Sequence, residues 1–221
     1  LVFGAILLLL SGVDPFAAYA AMAKGAFGDS HALAETLVKA IPLMLTGLGV
    51  SIAFRMLFWN IGAEGQLAMG GLAATGVALY ASDLLPGWSV VPAAVVLGMV
   101  AGALWAAIPA VLRAYLQVNE TITTLMMNYI AIYLVSHMYH GPWRDPEGYG
   151  FPGTARFPEV AWLPRFYARA HAGLIFALIA AAVLWFVLQR TKWGFELRIT
   201  GQNPEAARYI GINIPRLILV A

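Results

Sequence analysis

The feature that most constrains this chain is a series of apolar runs, each about as long as a bilayer is thick. A bilayer-crossing helix needs about 20 mostly apolar residues. Such runs predict spans at roughly 36–58, 61–81, 88–112, 119–138 and 171–189, with a shorter one at 1–13 and the start of another near 214. The expected fold is an all-α polytopic membrane protein with about six transmembrane helices plus the start of a seventh, forming a single transmembrane domain over 1–221. Composition agrees: 61% of residues are hydrophobic and 11% charged, whereas soluble domains are about one-quarter charged. A net charge of +2 gives no footprint for nucleic acid. Cysteine is absent, which excludes disulfides, thiol catalysis and Cys-ligated metals. Starting at Leu1 and stopping at "PRLILVA", the chain reads as truncated at both ends. The run at 1–13 has neither a basic front nor a small-residue cleavage site, so it reads as part of a span rather than a signal peptide.

The connections at 82–87 and 113–118 are short and predict antiparallel helix pairs. Two longer connections differ in chemistry. The first, 139–170, contains "GPWRDPEGYGFPGTARFPEVAWLPRFY". Its prolines and glycines exclude a continuous helix, and its aromatics suit a membrane surface. The second, 190–213, "RTKWGFELRITGQNPEAARYIGI", is basic at its start and helical further on. The 13 Lys and Arg residues divide almost evenly between the two sides, so charge counting does not orient the chain.

Two polar groups fall inside apolar segments. The first is "FWNIGAEGQLAMGG" at 58–71, with Asn60, Glu64 and Gln66 among glycines. An acidic residue at mid-span costs about 2.5 to 3.5 kcal/mol, which Leu, Ile, Phe and Val offset by about 0.3 to 0.6 each. Asn60 suits an N-cap, and Glu64 then lies where the positive helix end favours an anion. Gly62, Gly65, Gly70 and Gly71 would permit close helix packing. Capping and compensation is one reading; a polar turn bordering a translocation path is the other, and the two are compatible.

The second polar group lies on the 119–138 span, where Glu120, Thr124 and Asn128 recur every four residues on one helix face. Such a stripe has no reason to face lipid. It either makes interhelical hydrogen bonds or lines a path. Gly98 and Gly102 form a GxxxG packing motif. His137 and His140 lack a further ligand nearby, so no metal site is expected.

In "GQNPEAARYIGI", Asn203 suits an N-cap, Pro204 the first helical position, Glu205 the positive end, and Gly211 a left-handed C-terminal residue. A helix of about two turns is marginal in water and must be held by its own membrane domain or by a partner. Ala206 and Ala207 would let a partner approach closely. Here the residues carry a resemblance. Glu205-Ala206-Ala207, followed by Gly211, resembles the EAA signature of permease subunits of ATP-binding-cassette (ABC) importers. With "FWNIGAEGQLAMGG" and "VNETITTLMMNYIA" in the expected order, the chain is similar to the branch of that family serving nucleosides and simple sugars.

The resemblance implies a multi-pass subunit in a bacterial or archaeal cytoplasmic membrane, with 190–213 cytoplasmic and 139–170 external. It implies that the helix of Asn203, Pro204, Glu205, Ala206, Ala207 and Gly211 docks on a cytoplasmic ATPase. It also implies a second permease subunit, identical or sister, and an extracytoplasmic substrate-binding protein; the loop with Arg144, Asp145 and Glu147 is either a contact surface for that protein or a cap that merely seals the bundle. On this reading Asn60, Glu64, Gln66, Glu120, Thr124 and Asn128 are candidates for the substrate path. Nucleosides are the first choice of cargo, simple sugars the second and branched-chain amino acids the third. The residues themselves agree on energy supply. A P-loop needs Gly-Lys followed by Ser or Thr, but Lys24, Lys39 and Lys192 are the only lysines and none follows a glycine. No cofactor is expected in this chain, with ATP and Mg bound by the partner ATPase. An intramembrane enzyme or a passive channel is the alternative; no HExxH, GxSxG or paired aspartates support the enzyme.

Overall fold

A computed structural model describes residues 1–221. In chain order the helices are α1 (Val2–Leu10), α2 (Pro15–Phe27), α3 (Ser30–Arg55), α4 (Ala63–Gly76), α5 (Gly87–Leu116) and α6 (Glu120–His140). A two-stranded antiparallel ribbon follows, β1 (Arg165–Tyr167) and β2 (Ala170–His171), and then α7 (Gly173–Arg190), α8 (Lys192–Gln202), α9 (Pro204–Tyr209) and α10 (Ile214–Val220). Three helices are long and apolar enough to cross a membrane: α3 with 26 residues, α5 with 30 and α7 with 18. The pair α1 and α2, bent by 118°, would make a fourth if it forms one broken span.

The expected count of six spans is therefore not reached on these criteria. The predicted span at 61–81 is α4, 14 residues long, continued by a π-helical turn at Val77–Ala81. The span predicted at 119–138 has the length, with 21 residues in α6, but its polar stripe lowers its hydropathy. The run at 1–13 is a nine-residue helix, and α2 was not foreseen. Asp14 starts α2 by accepting a hydrogen bond from the Phe16 N–H, with Pro15 at the first helical position.

The chain divides into two compact units, Leu1–Leu45 with Leu163–Ala180, and Thr46–Trp162 with Ala181–Ala221. In the first, Arg169 pairs with Glu35 at 3.0 Å. The second holds the features that bear on function. There α4 packs along α5 and α6, and the short turns between them give the antiparallel pairing expected. Gly98 of the GxxxG pair meets the Gly70 backbone, and Gly102 meets the Gln66 carbonyl. Gly62, Gly65 and Gly70 stand at close approaches, but Gly71 has open space where a Cβ would go, so its expected packing role is not seen.

The segment 190–213 is more helical than its composition suggested. Thr191 caps α8, accepting from the Gly194 N–H at 3.3 Å. Tertiary contacts fix this glycine-containing helix. A Cβ at Gly194 would strike the Leu188 carbonyl, and one at Gly201 the Arg55 carbonyl. Leu197 is fully buried in a cluster with Met56, Leu188 and Leu217. This fastens α8 to the ends of α3 and α7 and to α10. At the opposite end of α4–α6 lies the irregular segment after α6, where Trp143 meets Tyr80 at 5.8 Å between ring centroids.

Candidate functional site

The site gathers around the start of α4, where the chain turns out of α3 through residues 56–62. Leu57 takes a left-handed conformation there, with φ +57°. Asn60 is not the helix cap expected of it. Gly62 occupies that position without a side-chain cap bond, and Asn60 stands two residues earlier. Its Oδ1 accepts from the Gly62 N–H at 2.9 Å, an Asx turn that launches the helix. The Asn60 amide is otherwise committed to Gln66. Gln66 Nε2 donates to Asn60 Oδ1 at 3.3 Å and Asn60 Nδ2 donates to Gln66 Oε1 at 3.4 Å, a reciprocal pair.

Glu64 lies in the first turn of α4, where the helix end favours a carboxylate. Asn128 Nδ2 donates to its Oε2 at 3.3 Å across the α4–α6 interface. Gly65 makes this contact possible, since a Cβ there would sit 2.9 Å from the Asn128 Cα and 3.2 Å from the Ala131 Cβ. Asn128 Oδ1 is buried without a partner.

The stripe of α6 is buried along its whole length: Glu120 is 7% exposed, Thr124 0% and Asn128 8%. Thr124 Oγ1 donates to the Glu120 carbonyl at 2.7 Å and accepts from the Ile61 N–H at 3.2 Å. Glu120 Oε2 pairs with Arg113 Nε, at the end of α5, at 3.2 Å. Asn119 caps α6 through the Ile122 N–H. A buried carboxylate at membrane depth requires such a partner. Trp105 of α5 completes the trio, donating from Nε1 to the Met127 carbonyl at 3.2 Å.

The six candidate path residues therefore come together at one end of α4–α6, in three arrangements. Asn60 and Gln66 form an amide pair, Glu64 and Asn128 bridge two helices, and Glu120 and Thr124 are tied to α5 and to the turn before α4. The first pair borders a cavity. This cavity, of about 230 Å³, is also lined by Met56, Phe58, Ala106 and Ile218. Arg113 was not singled out from the sequence. Seven residues before Glu120 but in another helix, it gave no periodic signal.

The helix α9 has the geometry expected of it. Asn203 Oδ1 accepts from the Glu205 and Ala206 N–H groups, both at 3.0 Å, with Pro204 at the first position. Gly211 follows with φ +85°. Ala207 faces inward and is fully buried, leaving Ala206 as the small exposed residue. Tyr209 is 92% and Ile210 57% exposed. No group of His, Asp and Glu is arranged to hold a metal ion.

Residues 32–221 match the family described as the permease component of the branched-chain amino acid transport system. Among curated proteins, the chain is 40% identical to the glucose ABC transporter permease protein TsgB13 of Haloferax volcanii, over 96% of this chain and 58% of that protein. It is 35% identical to the guanosine ABC transporter permease protein NupP of Bacillus subtilis, over 99% of this chain and 63% of that protein. It is 32% identical to the nucleoside ABC transporter permease protein NupB of Lactococcus lactis subsp. cremoris, over 99% of this chain and 62% of that protein. The chain thus spans about three-fifths of the length of these relatives. No solved structure matches it.

Proposed function

This chain belongs to the family of permease components of the branched-chain amino acid transport system, and from that premise we propose that it is the membrane-spanning subunit of an ABC importer for nucleosides. The observation that carries the substrate class is the Asn60–Gln66 amide pair on the cavity wall. The carboxylates nearby are engaged elsewhere, Glu120 by Arg113 and Glu64 by Asn128. The cavity wall therefore offers neutral donors and acceptors, which suit a neutral polar solute better than an amino-acid zwitterion. Phe58 in the same wall supplies an aromatic face of the kind on which a nucleobase stacks. Glucose is the second reading, favoured by the identity to the Haloferax permease.

Energy enters from outside the chain. Through α9 the subunit would meet a cytoplasmic ATPase, which binds ATP and Mg, so no catalytic step belongs to the permease itself. A second permease subunit, identical or sister, would complete the path, and a substrate-binding protein would deliver solute to the 139–170 side. Glu64 is exposed on the surface of this chain. A carboxylate so placed disfavours lipid and suits a face turned to that second subunit or to the path.

The test is the full-length protein assembled with its ATPase and binding protein in liposomes. ATP hydrolysis should rise with nucleoside-loaded binding protein and not with the glucose-loaded form. Stimulation by glucose alone would overturn the cargo and keep the mechanism, and silence from both would overturn the importer reading. In the same assay Glu205→Lys should abolish uptake while membrane insertion stays intact, and normal uptake would remove α9 from coupling.

A further inference from the structure

Beside α9 the second unit holds a second crevice, of about 320 Å³, which shares Met56, Phe58 and Ile218 with the cavity beside Asn60. Five elements meet there: the turn after α3, the end of α5, α8, α9 and α10. Two arginines line it, Arg113 from α5 and Arg208 from α9, together with Thr200 of α8. Thr200 is 3% exposed and its Oγ1 has no hydrogen-bond partner. A buried hydroxyl left without a partner is costly and calls for an occupant that can bond to it. Leu57 and Gln117, two of the four non-glycine residues with positive φ, lie on the same wall, with φ +57° and +54°. Backbone held in this sparsely populated region gathers where something besides local preference fixes the chain.

We propose that this crevice binds a phosphate group carrying one negative charge, as in the phosphodiester of an anionic phospholipid headgroup. The charges fit. Glu120 neutralises one of the two arginines through Arg113 Nε, leaving a balance of one positive charge. Guanidinium groups are suited to phosphate, and basic pockets at the ends of transmembrane helices take anionic headgroups. Apolar Ile214, Pro215 and Ile218 of α10 form one wall, against which the glycerol end of a lipid can lie. Because Arg208 belongs to α9, an occupant would tie that helix to the ends of α3 and α5. The site thus couples the composition of the membrane to the position of α9.

The experiment uses the full-length protein purified in detergent and examined by native mass spectrometry. The probes are phosphatidylglycerol, phosphatidylcholine and inorganic phosphate. Phosphatidylglycerol should be retained in preference to phosphatidylcholine, and Arg208→Gln should weaken that retention about fivefold, the loss expected for one basic residue. Thr200→Val, which keeps the side chain's shape, should weaken it as well. Equal retention of the two lipids with no phosphate adduct, or retention indifferent to both substitutions, would overturn the proposal. Adducts of inorganic phosphate that Arg208→Gln removes would keep the phosphate site and assign it to a soluble ligand. The readout is binding and not transport, so it stands whether or not the importer assignment does.

Discussion

Two fasteners hold the second unit together, and they are made of different materials. At one, α4 meets α5 and α6 through glycines and polar side chains: Gly65 against Asn128, Gly70 against Gly98, Glu64 bonded to Asn128, Thr124 bonded to the turn before α4. At the other, α8 is joined to α3, α7 and α10 by an apolar cluster centred on Leu197. Within a membrane, apolar burial gives helices little reason to prefer each other over lipid, so close approach and hydrogen bonds must supply the preference. Around Leu197 the helices are joined instead by shared burial of apolar side chains. The polar seam is consequently weak per contact, whereas the cluster shares its apolar burial among four side chains. If α9 couples to an ATPase as proposed, the α4–α6 seam is the interface more easily rearranged.

The cluster is the place to break this contrast most severely. Leu197→Ala removes a fully buried leucine from the point where three helices converge on α8, and should cost about 2–5 kcal/mol. The thermal unfolding midpoint of the full-length protein in detergent should fall accordingly, and in liposomes uptake should be lost above the new midpoint. A midpoint that does not move would mean that α8 is held by something other than this cluster.

The seam should answer more mildly to Gly65→Ala. The added carbon would lie 2.9 Å from the Asn128 backbone, which cannot swing away as a side-chain tip could. The helices must part by a few tenths of an ångström, at about 1–3 kcal/mol. Loss of transport with a small shift in midpoint would place the seam's role in geometry. An unchanged midpoint and unchanged uptake would show that α4 and α6 are farther apart in the working state.

Trp105→Phe tests the same trio from the α5 side. It keeps the apolar body but removes the donor to the Met127 carbonyl, worth about 0.5–1.5 kcal/mol. A loss much larger than this would make the indole's shape, not its N–H, the fastening element.

The parts of this arrangement that could be read in advance are those set by local spacing. Glu120, Thr124 and Asn128 lie four residues apart, and the structure buries all three on one face. Asn203-Pro204 and Gly211 delimit α9 at the positions their backbone preferences dictate. What escaped depends on partners distant in the chain or on signals masked by composition. Arg113 finds Glu120 across a turn between helices, and no periodicity joins them. The helix α8 contains two glycines and little net hydropathy, and it is tertiary packing, Leu188 and Arg55 against those glycines and Leu197 in its cluster, that explains why it forms. The helix α2 did carry a readable start in Asp14-Pro15, but a search for long apolar runs passes over a 13-residue segment. The Asn60–Gln66 pair was legible as two amides and not as a reciprocal bond, because the turn at Gly62 decides it.

Asn128→Leu should have the smallest effect on stability, and for that reason it separates structure from function most cleanly. The substitution removes one hydrogen bond to Glu64, and such bonds in membrane helices average about 0.6 kcal/mol. It also removes an unpartnered buried oxygen, which offsets part of that loss. The midpoint should therefore barely move. If Glu64 needs Asn128 to present its carboxylate to the path or to the second subunit, uptake falls while the ATPase still assembles with the permease. If uptake is unchanged as well, the stripe on α6 is packing alone. The path would then lie on the other side of α4, along the cavity that Asn60 and Gln66 border.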